Sequence, residues 1–435
     1  MSRLSIPSIE VPFRARTLGN GMRVVAHEDR SAPIVAVHLM YHAGSRHEVP
    51  GRTGLAHLLE HLMFEGTEHV PKGAFDDLLE RSGGTNNGST WLDRTNYYET
   101  VPSHAAELPL WLERDRMAHF LSVLDQEKLE LQRGVVINER KQHYENRPYG
   151  LADERLSQLL FPEGHPYSWP TIGYIPDLEA MTLDDMRSFY GTYYTPSNSV
   201  LVLAGDLGAD EAFALAERYF ADLPPGPDAP RRDAPELRAP PPRFRRETLE
   251  DRVTFPRLYR AFAVPGYGTA EWVALDVLAY LLSDGESSRL QRALVRDGRI
   301  AQDVDAYLYP TELLGVFGVV STARTGVPAE ALEEAVARVI AEVAEGGVTE
   351  EEVAAAVRRV RRDQVAEMAT VEGRADSLAY AATVLGAPER LEEVMEAYAG
   401  VTPEEVSRAA AEHLRPDAGA TVMVVPAPGE VRDAA

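Results

Sequence analysis

The chain has 435 residues, too many for one ordinary core, and its 44% hydrophobic and 26% charged content is globular rather than disordered. A formal charge of −24 argues against non-specific binding to nucleic acid or anionic membrane, and the absence of cysteine excludes disulfides and thiolate metal ligation. Any metal must be held by histidine and carboxylate.

The opening stretch MSRLSIPSIEVPFRARTLGNGMRVV contains no apolar run of signal-peptide length, and no run of about 18 apolar residues follows anywhere. A cytoplasmic chain without a membrane segment is expected. APIVAVHLMY (32–41) reads as a strand leading into a helix around HLLEHLMFEG (57–66). On that helix His57 and His61 lie roughly 40° apart and Glu60 roughly 60° to the other side of His57, while Leu58, Leu59, Leu62 and Met63 take the opposite arc. Side chains at i and i+4 are about 5 to 6 Å apart at Cβ, so two imidazoles can converge on one ion. A catalytic zinc takes three protein ligands and keeps a water in the fourth position, and a nearby carboxylate can remove the water's proton. His57 and His61 would be ligands, Glu60 the general base, and the third ligand a Glu, Asp or His from another element. A solvated or hydrogen-bonded helix face accounts for the same pattern.

Further along, DQEKLELQRGVVINERKQ (125–142) reads as a helix with Leu131, Val135 and Val136 inward, which puts Glu139 near the core-facing stripe. MTLDDMRSFYGTYYTPSNSVLVLAG (181–205) is a helix started by Thr182 with Asp185 three residues on, followed by an apolar strand. PPGPDAPRRDAPELRAPPPR (224–243) is proline-rich and reads as an extended spacer. Beyond it the pattern returns. PRLYRAFAV (256–264) leads into DVLAYLLSDG (276–285), and VTPEEVSRAAAEHLRPDAGATVMVV (401–425) matches 181–205, with Thr402 and Glu405 in place of Thr182 and Asp185.

The offsets, 219 at one end and 220 at the other, indicate a duplicated unit. The expected fold is α+β, two homologous domains that each pack a mixed sheet with several long helices: 1–223, a linker 224–243, and 244–435. The apolar helix positions are shared between the halves, but His57, Glu60 and His61 fall opposite Asp276, Ala279 and Tyr280, so only the first half carries the candidate ligands. His165 and His413 read as surface or loop positions, and His143, one turn after Glu139, as an exposed helix residue that could also contribute near the site.

HLLEH within GRTGLAHLLEHLMFEGT resembles the inverted zinc motif of the inverzincins, the superfamily of pitrilysin, insulin-degrading enzyme and mitochondrial processing peptidase. GGTNNGSTWLDRTNYY (83–98) resembles its substrate-strand signature and VVINERKQHYENRPYG (135–150) its third-ligand segment. The resemblance implies a zinc endopeptidase with one Zn2+ per chain, held by His57, His61 and Glu139, acting on oligopeptides or unfolded segments in an enclosed chamber. It also implies that Asn87 to Thr90 form a strand edge that pairs with peptide, Asn87 being the candidate contact; a Gly/Asn-rich turn into an ordinary strand is the alternative. Where many members carry a second glutamate, this chain has Gln132, which can still hydrogen-bond beside Glu139.

In the second half Arg289 stands in the expected S-R-L segment, but Gln302 replaces the tyrosine of the substrate-positioning Arg/Tyr pair. That departure implies a homologous subunit that supplies the pair, with a homodimer, or use of Tyr307 or Tyr309, as the alternative. The rival reading of the whole chain is a non-catalytic structural or partner subunit of a processing-peptidase-like complex.

Overall fold

A computed structural model describes residues 9–238 and 243–428. Strands β1 (Arg14–Thr17), β2 (Arg23–Glu28), β3 (Ile34–Tyr41), β4 (Thr85–Thr90), β5 (Thr95–Pro102) and β6 (Ser199–Gly205) form one sheet, ordered β1-β2-β6-β3-β5-β4. Strands β7 (Arg245–Asp251), β8 (Arg257–Pro265), β9 (Ala301–Tyr309), β10 (Leu314–Ala323) and β11 (Ala420–Pro426) form the other, ordered β7-β11-β8-β10-β9. In each sheet one pair is parallel, β2 with β6 and β7 with β11, and every other neighbour is antiparallel. Apart from the added edge strand β1, the two sheets have the same order and sense. The fold is α+β and duplicated.

The helices repeat as well. Leu183–Tyr193 and Pro403–His413 both begin with a reciprocal capping box, Thr182 with Asp185 and Thr402 with Glu405. Gly66 and Gly285, the residues aligned by the repeat, both have positive φ (91° and 82°), a conformation that costs glycine least.

Strand β3 is apolar along nearly its whole length because it is covered on both faces. Val35, Val37, Leu39 and Tyr41 face the main core of the first half. Ala36 and Met40, with Val200, Val202 and Ala204 of β6, face the other way and are covered by the helix Val371–Val384 from the second half. The second sheet shows the mirror arrangement: Tyr259, Ala261 and Ala263 of β8 and Val422 of β11 are covered by Ala152, Leu156 and Leu160 of the helix Ala152–Leu160 from the first half. Each half lends one helix to the other's sheet. Neither sheet is closed by its own half of the chain.

A buried charge cluster joins the halves at a second place. The guanidinium of Arg46 is fully buried, 3.0 Å from Asp93 and 2.9 Å from Glu312 of the β9–β10 loop. Glu312 also meets His42 Nε2 at 2.6 Å, and its backbone N–H donates to Asp93. Tyr167 completes the group by donating to Asp93 (2.6 Å) and accepting from the N–H of Leu313.

The linker is less free than its prolines suggest. The carbonyl of Leu237 is 3.0 Å from His165 Nε2, Arg238 donates to the Glu312 carbonyl, and Arg232 donates to that of Glu48. Residues 239–242 of the expected spacer lie outside the described residues. His165, expected at a surface or loop position, lies in a loop but is buried and stacked on Phe161, because the linker closes over it.

Burial raises the proton affinity of Glu312, but the hydrogen bond to His42 and the charge of Arg46 outweigh it and hold the carboxyl at about 2. Its stabilising contribution is therefore complete above the ordinary carboxylate range and fades as pH falls toward 2. Glu312→Gln is expected to cost roughly 3 kcal/mol in guanidinium unfolding at pH 7, with the difference from the unaltered chain shrinking below about pH 4.

Candidate metal centre

The motif helix, Leu55–Leu62, is only eight residues long and starts at Gly54, whose φ of 86° suits glycine. A Cβ at Gly54 would lie 2.6 Å from the Ile172 carbonyl, so the close approach of that chain also demands it. Gly54 has no side chain to cap the helix. The buried carboxylate of Glu48 does so, accepting from the N–H groups of Gly54 (3.0 Å) and Ala56 (2.8 Å). Leu58, Leu59 and Leu62 are fully buried and fix the rotation of the helix.

That rotation turns His57 and His61 toward the ligand helix, Gln126–Arg140, which begins with an Asp125 cap. The ligand helix presents Leu129, Gln132 and Val136 to the core, so Glu139 falls on the edge of the buried face. The expected inward positions need correction. Leu131 and Val135 are 51% and 42% exposed, because the helix is rotated to place polar Gln132 inward.

Glu139 Oε2 lies 3.5 Å from His61 Nε2 and 3.9 Å from His57 Nε2, and the two rings sit edge to face with centroids 4.7 Å apart. One donor atom from each of the three residues falls within 4.8 Å of the others. Two imidazoles and one carboxylate at this spacing fit a zinc ion with a position left open. The buried Nδ1 of His57 has no hydrogen-bond partner.

Burial, reinforced by the neighbouring His61, pushes His57 down to about 4, so its imidazole is neutral near pH 7 and can donate a lone pair. His61 shifts up: burial opposes this, but contact with Glu139 and the charge of Glu60 prevail. Glu139 is held below the usual carboxylate range, chiefly by His61.

Glu60 is buried beside the triad, and burial raises its proton affinity. Its Oε2 accepts from Thr90 Oγ1 at 2.6 Å. Gln132 donates to Glu65 Oε1 (2.6 Å), and its amide also reaches His61. An amide placed there can orient a metal-binding imidazole.

Thr90 ends edge strand β4 and closes the segment 87–90 expected to pair with peptide; its hydrogen bond to Glu60 is a further role that the sequence did not indicate. Asn87 lies on the same strand, where its Oδ1 accepts from the Gly88 N–H. Arg289 does not join the cluster. It is held in the second half by both oxygens of Glu352 and by the Gly347 carbonyl. Gln302 donates to the Ala323 carbonyl, and Tyr309 packs edge-on against Trp91 with centroids 5.8 Å apart.

His57 and Glu139 open on a cavity of about 710 Å³ whose walls come from both halves: Trp91 and Tyr149 join them from the first, Arg257 and Tyr259 from the second. Tyr149 has a φ of 64°, unusual for a bulky residue, and the second half holds it there: its N–H donates to Asp251 and its hydroxyl to the Phe255 carbonyl. His143, mainly exposed, also lines this cavity, with Nδ1 3.8 Å from Glu139. In the second half the corresponding helix, Ala270–Ser283, uses its polar positions for packing. Asp276 accepts from Tyr398, and Tyr280 donates to Asp363.

A short helix bearing two imidazoles and a carboxylate, completed by a glutamate from a second helix, could hold a metal ion. Comparison with known proteins gives the class. Residues 23–165 match the family model described as Insulinase (Peptidase family M16), and residues 180–360 match the Peptidase M16 inactive domain. The Zinc protease PqqE of Helicobacter pylori is 31% identical over 340 residues, covering 78% of this chain and 76% of that protein. The crystal structure of a protease from Helicobacter pylori superposes with a TM-score of 0.89 at 26% identity, covering 96% of this chain and all of that one. The beta subunit of the mitochondrial-processing peptidase of Caenorhabditis elegans is 28% identical over 278 residues, 63% of this chain and 58% of that protein. The chain belongs to the M16 family of peptidases.

Two substitutions probe the surroundings of the triad. Gln132→Ala should weaken zinc binding by roughly 10- to 100-fold in a chelator competition while leaving the circular dichroism spectrum unchanged. Thr90→Val removes a hydrogen bond to a buried carboxylate and should lower kcat/KM for a peptide by roughly 10-fold or more with metal content retained.

Proposed function

We propose that the chain is a zinc-dependent endopeptidase that cleaves oligopeptides or unfolded segments within the cavity between its halves. The observation that carries this reading is the convergence of His57, His61 and Glu139, with Glu60 beside them and held by Thr90. Zinc bound there would supply Lewis-acid polarisation and make a water acidic enough to attack near neutral pH. Glu60 is the proton acceptor: Thr90 fixes one carboxylate oxygen and leaves the other for the proton. Strand β4 ends its sheet among the described strands, so an extended peptide can add alongside it through main-chain hydrogen bonds near Asn87.

The net charge of −24 favours basic peptides over acidic ones of equal length. Because Arg289 is engaged by Glu352 and Gln302 stands in place of a tyrosine, we further propose that a homologous subunit completes substrate positioning, with a homodimer as the alternative. The match of the beta subunit of a processing peptidase supports that pairing. A second reading, a non-catalytic subunit, draws on the inactive-domain match to residues 180–360, but the triad and Glu60 lie outside that span.

Glu60→Gln is expected to retain metal at the triad and lose at least about 100-fold in peptide turnover. Retained turnover would reject Glu60 as the base. Strong turnover by the isolated chain, monomeric by light scattering, would reject the need for a partner.

A further inference from the structure

The chain has a second group of two imidazoles and a carboxylate that converge as the triad does. His69, Asp115 and His119 bring one donor atom each within 4.8 Å of the others, the span that also describes His57, His61 and Glu139. The two rings sit edge to face, 4.6 Å apart with an interplanar angle of 87°, against 4.7 Å and 76° in the triad. Asp115 Oδ1 is 2.6 Å from His69 Nδ1 and 4.0 Å from His119 Nε2, values that bracket the roughly 3.3 Å between donors around a tetrahedral zinc.

The cluster is built rather than incidental. Asp115 is buried on the helix Glu107–Val123, and its other oxygen is taken by Thr67, leaving Oδ1 turned toward both imidazoles. Thr67 also accepts from the Val70 N–H, and the Thr67 N–H donates to the Val70 carbonyl, so the turn that presents His69 is fixed. Glu68 Oε2 lies 3.5 Å from His119 Nδ1 and adds a second carboxylate at the rim. Arg114 donates to His119 Nε2 at 3.3 Å, which marks that nitrogen as a lone-pair donor, while its other nitrogen pairs with Asp222. A metal would replace one long Arg114 contact and leave the other.

We propose that His69, Asp115 and His119 form an accessory site for a zinc-class divalent cation, separate from the catalytic triad. Two imidazoles select zinc and its neighbours over calcium or magnesium, which prefer oxygen. The site ties the turn after the motif helix to Glu107–Val123. Within the same segment Lys72 pairs with Glu65, which Gln132 of the helix Gln126–Arg140 also holds, so bracing this turn steadies the C-terminal end of the helix that carries His57 and His61. Its role is structural.

The test uses the full chain stripped of metal and titrated with Zn2+ against a chromophoric chelator. The His57→Ala variant, with its triad broken, is expected to bind one equivalent and to gain thermal stability on adding zinc. His57→Ala combined with His69→Ala, or with His119→Ala, should bind none and show no zinc-dependent rise in Tm. His69 is half exposed, so its loss should leave the circular dichroism spectrum unchanged. Zinc bound equally by the single and double variants, or no zinc bound by His57→Ala, would overturn the accessory site. Because the triad is disabled throughout, neither result depends on peptidase activity.

Discussion

The buried guanidinium of Arg46 is the constraint on which the site depends. A charge with no exposure must be met by carboxylates, and the two nearest, Asp93 and Glu312, come from different halves of the chain. Asp93 lies in the turn that joins β4 to β5, three residues after Thr90. Arg46 also donates its own N–H to the Leu92 carbonyl, and Ser45 donates to that of Trp91. Satisfying one buried cation thus fixes the turn that holds Thr90 against Glu60 and sets the second half over the cavity.

The exchanged helices act with this cluster. Val371–Val384 and Ala152–Leu160 start 219 residues apart, so the duplication relates them, yet each covers the sheet of the opposite half. Interlocking of this kind makes the cavity between the halves a property of one folded chain. It also explains Tyr149, whose unusual backbone is stabilised by Asp251 and Phe255 from across the cavity.

Much of this was legible in sequence because it is local or periodic. The 3.6-residue period separated Leu58, Leu59 and Leu62 from His57 and His61, and the repeat offset anticipated two homologous halves, each with a mixed sheet, though not the strand order. What failed was long-range. Apolar Leu131 and Val135 were read as inward, but helix rotation is set by packing partners, and an exposed leucine is ordinary. The contact of Thr90 with Glu60 was not legible, because it spans 30 positions and requires the β4 edge to lie beside the motif helix. The exchange of helices Ala152–Leu160 and Val371–Val384 was not legible either, since which sheet a helix covers is set by packing across the whole chain. His165 escaped for a similar reason, its cover coming from the linker.

The central claim is that His57, His61 and Glu139 hold one catalytic zinc. Anomalous diffraction at the zinc edge tests it most directly. The expected result is a peak about 2.0 to 2.2 Å from one nitrogen of each histidine and from a Glu139 oxygen. A crystal of active, zinc-loaded protein with no peak at that position would contradict the account.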